Sequence, residues 1–231
     1  MARADEGDLA RTHEGEPGLP RGRSRLPLET VRAMQRDRLV RAVIAAVAAN
    51  GFRAVTVADI VRRARVSRAA FYAHFADKQE CFLAATREGG QLMFDHVVSA
   101  TRKLPAGASA EAVLRAAVTA FLEFLAAEPA FTRAFFIDMP AAGSRAVGRI
   151  DAAQHRFAEL NRAWHERARA DNPEWPAVPY DAYFALAGAT TELVRANVRQ
   201  GRIETVTSLR DTLVALHLAV LAARPWPSPP V

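Results

Sequence analysis

Between residues 56 and 78 the chain places Thr56, Arg62, Arg63, Arg65, Ser67, Arg68, Tyr72, His74 and Lys78 at short intervals. Their common chemistry is hydrogen-bond donation to anions. No carboxylate or nucleophile stands at a spacing that would orient His74 as a general base, so catalysis is not expected there. Two short helical segments separated by a tight turn carry these groups, which is the layout of a helix-turn-helix. The second segment, 67–75, is about 13 Å long at 1.5 Å per residue, matched to a major groove about 12 Å wide. Arg68 is the best candidate to read a base edge, through guanine O6 and N7. Ser67 suits either a helix cap or a base contact. Ala69 and Ala73 offer methyl contacts to thymine. Arg62 and Arg63 either flank the DNA backbone or form a solvated face.

The charge distribution agrees. The chain has 231 residues and a formal net charge of +6. Residues 21–80 hold 13 Lys and Arg against 5 Asp and Glu, whereas residues 1–20 hold 2 against 5. Residues 81–231 are close to neutral, with 16 against 15. A basic region that coincides with the motif is the electrostatic footprint of polyanion binding. The segment Arg21-Gly22-Arg23-Ser24-Arg25 suits either insertion into a minor groove or a flexible basic linker.

Other function classes recede. No run approaches 18 apolar residues, so no membrane span is expected, and the acidic N-terminus lacks a secretory core. The single cysteine, Cys81, precludes an internal disulfide framework and suits a reducing cytoplasm. His155 and His165 lie ten residues apart, which is not a helical metal-ligand spacing. Neither metal nor cofactor is expected.

The elements that position these groups read as helices throughout. Residues 1–20 are rich in Gly, Pro and acids, which predicts disorder. Leu39, Val43 and Val47 recur at helical spacing within 32–49, and Asn50-Gly51 ends that helix. Thr56 with Asp59 forms an approximate capping box, and Phe71 and Phe75 face the core. A fourth helix is expected from Lys78 to about Lys103, with Gly89-Gly90 predicting a kink or break, since each glycine costs about 1 kcal/mol in a helix interior. Helical stripes follow at Leu114–Leu125, around Val147–Trp164 and at Tyr183–Val198. A heptad-like seam runs from Ile203 to Val220. No strand pattern is present, so the fold class is all-α: an N-terminal three-helix DNA-binding domain and a C-terminal helical ligand-binding and dimerisation bundle. The expected divisions are a tail with a basic arm at 1–31, the helix-turn-helix domain at 32–78, the bundle at 79–223 and a Pro-rich tail at 224–231.

Asn50-Gly51-Phe52, Thr56-Val57 with Asp59-Ile60, Ala64 followed by Val66-Ser67-Arg68, Phe71-Tyr72 with His74-Phe75, and Asp77-Lys78 occur in one order and spacing. This resembles the tetracycline-repressor (TetR) family of transcriptional regulators over about residues 32–85. Beyond that the likeness is architectural. The resemblance implies that Tyr72 and His74 lie along phosphates and that Lys78 pairs with one at the start of the fourth helix. Thr56 would offer its amide end and hydroxyl to another phosphate. Two departures stand out: Arg65 occupies a turn position usually held by glycine, where a left-handed backbone costs a non-glycine residue roughly 1 kcal/mol, and Ala69-Ala70 follows the cap. Arg65 would add a phosphate contact.

For the C-terminal half, an apolar pocket lined by Phe94, Phe121, Phe124, Phe135, Phe136, Met139, Phe157, Trp164, Tyr183 and Phe184 is the sharper reading. A plain aromatic core is the blander one. Glu192 and Arg195 suit either polar anchors or interface residues. The expected protein is a non-enzymatic, cytoplasmic, homodimeric regulator of double-stranded DNA, most simply a repressor released from a palindrome by a small, largely apolar effector. An architectural or partner-responsive DNA-binding protein without an effector is the alternative.

Overall fold

In the computed structural model, residues 7–15 and 27–222 are described, and these contain helices and turns but no β-strand. The basic arm at 21–25 and the tail from Arg224 lie outside the described residues. The helices are α1 (Leu28–Asn50), α2 (Val57–Ala64), α3 (Arg68–His74), α4 (Lys78–Arg102), α5 (Ala110–Ala127), α6 (Pro129–Arg133), α7 (Ser144–Asp171), α8 (Tyr180–Arg199) and α9 (Arg210–Leu221). Two compact units result. One comprises 1–92 with 127–146, and the other comprises 93–126 with 147–231. The division thus falls inside α4 rather than at residue 78, and the segment after α5 belongs to the first unit.

In the first unit α1 packs on α2, α3 and α6. From Leu39 to Val47 every residue of α1 except Arg41 is buried, so this half of the helix is enclosed on nearly all sides. Its N-terminal half starts at Leu28, four residues before the start expected at 32, because those turns are solvent-facing and carry no periodic signal. Gly51, at φ 76°, ends α1 and returns its N–H to the Val47 carbonyl at 2.7 Å.

α4 is continuous across Gly89-Gly90, contrary to the expected kink. Gly89 is instead a packing residue: a β-carbon there would lie 2.3 Å from Cε2 of Phe131. Cys81 is fully buried, and burial pushes its thiol pKa far above the usual range. After α6 the chain makes a wide turn at Ala134–Asp138 and a tight one at Met139–Ala142.

Residues 7–15 correct the expectation of a disordered N-terminus. Gly7 adopts φ 77°, and a β-carbon there would sit 2.3 Å from the Glu128 carboxylate. That carboxylate accepts from the backbone N–H of Asp8 (3.1 Å) and Leu9 (2.9 Å). Ala10 is fully buried, and the His13 N–H donates to the Arg63 carbonyl at 3.2 Å. A short strap is therefore seated within the first unit by backbone hydrogen bonds that a composition-based reading does not reveal.

In the second unit α8 packs on α9 and on the turn at Val206–Leu209 that precedes it. The seam expected from Ile203 begins as a 3-10 turn at Val206 and becomes α-helix only at Arg210.

Candidate functional site

The helix-turn-helix is built by local hydrogen bonds. Thr56 caps α2: its hydroxyl oxygen accepts from the Asp59 N–H at 3.2 Å, while the Asp59 carboxylate accepts from the Thr56 N–H at 3.0 Å. The Thr56 hydroxyl also donates to Asp59 at 2.6 Å. These bonds, with Arg62 nearby, hold the Asp59 carboxyl below the usual carboxylate range. Arg65 ends α2 at φ 54°, ψ 42°, the single non-glycine residue with positive φ among those described. The turn closes with the Val66 N–H on the Val61 carbonyl at 3.2 Å. Ser67 caps α3, its oxygen accepting from the Ala70 N–H at 3.0 Å.

Burial orients α3. Phe71 is fully buried and Phe75 nearly so, as are Ile60 and Ala64 of α2. Arg65, Ser67, Arg68, Ala69, Tyr72 and Ala73 are consequently exposed, as is Thr56 at the start of α2. Tyr72 meets the Phe71 ring edge-on, with centroids 5.4 Å apart. Its phenol thus stands on a fixed base at 54% exposure.

Two residues occupy settings other than a free phosphate-binding face. His74 is half-buried, and its Nε2 is buried without a hydrogen-bond partner among the described residues. Desolvation first, then Arg36 and Arg32, lowers its pKa, so the imidazole is neutral near pH 7. Lys78 donates to the carbonyls of Phe52 (2.9 Å), Arg53 (3.1 Å) and Val55 (2.6 Å) and lies 4.8 Å from the centroid of the Phe52 ring. An ammonium has three protons, and all three are engaged in fastening the loop between α1 and α2. Beside the motif, Glu14 of the strap lies 3.8 Å from Arg62 and 3.7 Å from Arg63.

The second unit encloses a cavity of about 530 Å³ between α4, α5, α7, α8 and α9, within the range of small-molecule sites. Of the aromatics singled out in the sequence, Phe121, Phe157 and Trp164 line it. Phe94, Phe124, Tyr183 and Phe184 do not. Phe94 lies between Phe157 (4.6 Å) and the Arg156 guanidinium (3.9 Å). Phe124 faces His96. Phe184 is an exposed residue beside His155. The Tyr183 hydroxyl is tied to His165 Nδ1 at 2.8 Å. Phe135, Phe136 and Met139 fall in the first unit, with Phe136 and Met139 part of its core. Aromatic composition alone does not distinguish these places.

The cavity's polar lining went unrecognised in the sequence: Thr101, Arg102, Asn161, Arg167, Thr190, Thr191 and His217. His217 is buried, and its Nδ1 sits 2.8 Å from the Leu213 carbonyl, so Nδ1 carries the proton. Desolvation lowers its pKa, leaving Nε2 as a lone-pair acceptor. The Thr190 hydroxyl is buried without a partner among the described residues. Glu192 does not line the cavity; it pairs with Arg195 at 2.8 Å and with Arg199 along the exposed side of α8.

Residues 39–85 match the model of the bacterial regulatory proteins of the tetR family. The fold is similar to that of the fatty acid degradation regulator FadR from Bacillus halodurans. That match has a TM-score of 0.70 and 17% identity, and covers 80% of this chain and 94% of that one. FadR from Bacillus subtilis, solved in complex with stearoyl-CoA, aligns with a TM-score of 0.70 and 13% identity over 79% of this chain and 97% of that one. A tetR-family regulatory protein from Rhodococcus RHA1 aligns with a TM-score of 0.65 and 21% identity over 82% and 98%. No helix of the described residues is long and apolar enough to cross a membrane. Residues 39–85 thus form a helix-turn-helix domain similar to that of the tetR-family regulatory proteins.

Proposed function

We propose that this tetR-family DNA-binding chain is a homodimeric repressor that leaves a palindromic operator when a small, largely apolar molecule enters the cavity of its second unit. The observation that carries the reading is the orientation of α3. Phe71 is buried, and Arg68, Ala69 and Tyr72 stand exposed on a helix about 10 Å long at 1.5 Å per residue. Arg68 reads a base edge. Tyr72, Arg65 and the amide end of α2 at Thr56 meet phosphates. Ser67 serves as the cap, and Lys78 acts by holding the α1–α2 loop in shape. Neutral His74 brings no charge to the interface. Two copies would place their α3 helices about 34–36 Å apart on the DNA.

The cavity supports an effector over a purely architectural role, and a structural relative solved with stearoyl-CoA makes an apolar small molecule a natural occupant. α4 provides the link: Lys78 stands in its first turn, and Val97, Val98, Thr101 and Arg102 of its last turns line the cavity. An effector that prefers one arrangement of this helix shifts the population between DNA-competent and DNA-incompetent states.

The test is selection from random duplexes by the full chain and by Arg68→Ala, with sedimentation to give the oligomeric state. An enriched palindrome relaxed at one position per half-site by Arg68→Ala is expected, bound by two copies. Weak, salt-sensitive binding without an enriched sequence would overturn the reading.

A further inference from the structure

We infer that the effector is an organic acid: an apolar body held in the cavity, with a carboxylate at Arg102 and Arg167. This rests on the reading of the cavity as an effector site and names the class of molecule it takes. The cavity wall contains two guanidinium groups and no Asp or Glu. Several other arginines of the same unit are matched by carboxylates. Arg115 pairs with Asp211 and Glu111, Arg162 with Glu159, and Arg195 and Arg199 with Glu192. Arg102 and Arg167, by contrast, have no carboxylate partner among the described residues.

Burial gives the cavity a direction. Arg102 and Arg167 are exposed, whereas Leu114, Val118, Trp164, Leu213 and His217 are buried. A charged rim therefore opens onto an apolar interior, which matches a molecule with a charged head and an apolar body. An arginine fork accepts a carboxylate in a bidentate, charge-assisted pair. A cationic head would meet two like charges with no anion to offset them. A neutral head would forgo the pairing.

The interior adds a second selection. The Thr190 hydroxyl has no partner among the described residues, and His217 offers a lone pair at Nε2 once Nδ1 is committed to Leu213. Both are uncharged, so a second charge on the ligand has no counterpart at the buried end. The preferred ligand therefore carries its one ionised group at the rim and at most neutral polar groups inside.

The test uses the full chain loaded with Nile red, a neutral apolar dye, and three probes with ten-carbon chains, decanoate, decanol and decyltrimethylammonium, each kept below its micellar or solubility limit. Dye displacement is followed in the wild type, in Arg102→Gln/Arg167→Gln and in Ala117→Phe, which fills the cavity from its lining. Decanoate is expected to displace the dye at least tenfold more effectively than decanol, and the cation least effectively. The double variant should reduce decanoate to the level of decanol and leave decanol unchanged, and Ala117→Phe should abolish dye binding. If decanol matches decanoate, or the double variant leaves decanoate unaffected, the acid assignment falls while an apolar effector site stands. If the dye does not bind, or binds Ala117→Phe equally well, both the assignment and the effector site fall.

Discussion

Gly89 and Phe131 are matched across the first unit: the Phe131 ring occupies the place where a β-carbon on Gly89 would stand, with Cε2 2.3 Å from that point. The neighbouring Gly90 has far more room, its nearest contact being Phe135 at 3.7 Å. The two glycines therefore separate a packing requirement from helix propensity. Gly89→Ala should lose about 1–3 kcal/mol through overpacking. Gly90→Ala should be neutral or gain up to about 1 kcal/mol. Thermal unfolding of the two variants decides this, and equal losses would mean that both positions need conformational freedom rather than space.

Lys78 bridges three carbonyls of the α1–α2 loop. Lys78→Ala should destabilise the fold by about 2 kcal/mol or more, because part-buried carbonyls lose a charged donor. DNA affinity per folded molecule should fall less than in Tyr72→Ala. Urea unfolding combined with binding titrations checks both statements. A variant of wild-type stability with strongly impaired binding would make Lys78 a direct phosphate contact.

Arg65 holds a left-handed backbone in the turn. Arg65→Gly relieves that strain, roughly 1 kcal/mol, against a somewhat smaller gain in unfolded-chain entropy. Net stability should therefore change by less than about 1 kcal/mol. Binding to duplex DNA should weaken, and the slope of log K against log salt should shrink by about one. An unchanged slope would remove Arg65 from the phosphate contacts.

His165 and His217 should weaken the fold in acid. His165 is fully buried, with Nε2 facing the Leu221 carbonyl at 2.8 Å and Nδ1 the Tyr183 hydroxyl at 2.8 Å. The neutral ring thus donates from Nε2 and accepts at Nδ1. Desolvation is the principal cause lowering both pKa values below 6.5. The unfolded chain binds these protons more readily than the folded one. Their contribution is therefore present in full above pH 6.5 and is lost as pH falls from there through the folded values. Two such groups give a slope of at most about 2.7 kcal/mol per pH unit. Urea unfolding between pH 5 and pH 8 measures it, and stability that holds constant down to pH 5 would contradict the neutral assignment.

The strap places Glu14 beside Arg62 and Arg63 at 3.7–3.8 Å. These pairs are long, and Arg62 is exposed while Glu14 and Arg63 are half-buried; surface ion pairs are worth up to about 1 kcal/mol, so Glu14→Gln should raise DNA affinity by no more than about fivefold at low salt. Gly7→Val, which cannot fit against Glu128, should unseat the strap and give the same gain. Titrations at two salt concentrations test this. Weaker binding in both variants would mean that the strap assists DNA binding.

What the sequence determined by itself is what depends on short separations. The all-helical class follows from apolar period. The turn at Gly51 and the caps at Thr56 and Ser67 are bonds within four residues, between side-chain types that make them wherever they occur at that spacing. The exposed face of α3 follows from Phe71 and Phe75 one turn apart. Only the tertiary structure decided what Lys78, Gly89 and Glu128 do. Lys78 reaches carbonyls 23 to 26 residues away, and Glu128 caps backbone groups 119 and 120 residues away. The cavity belongs to the same class. Phe121 and Phe94 are one residue type on amphipathic helices, yet one lines the open space and the other fills the interior beside Phe157. Periodicity states that a residue is turned inward. Whether it meets another side chain there or an empty volume depends on how five helices converge, and no local pattern encodes that.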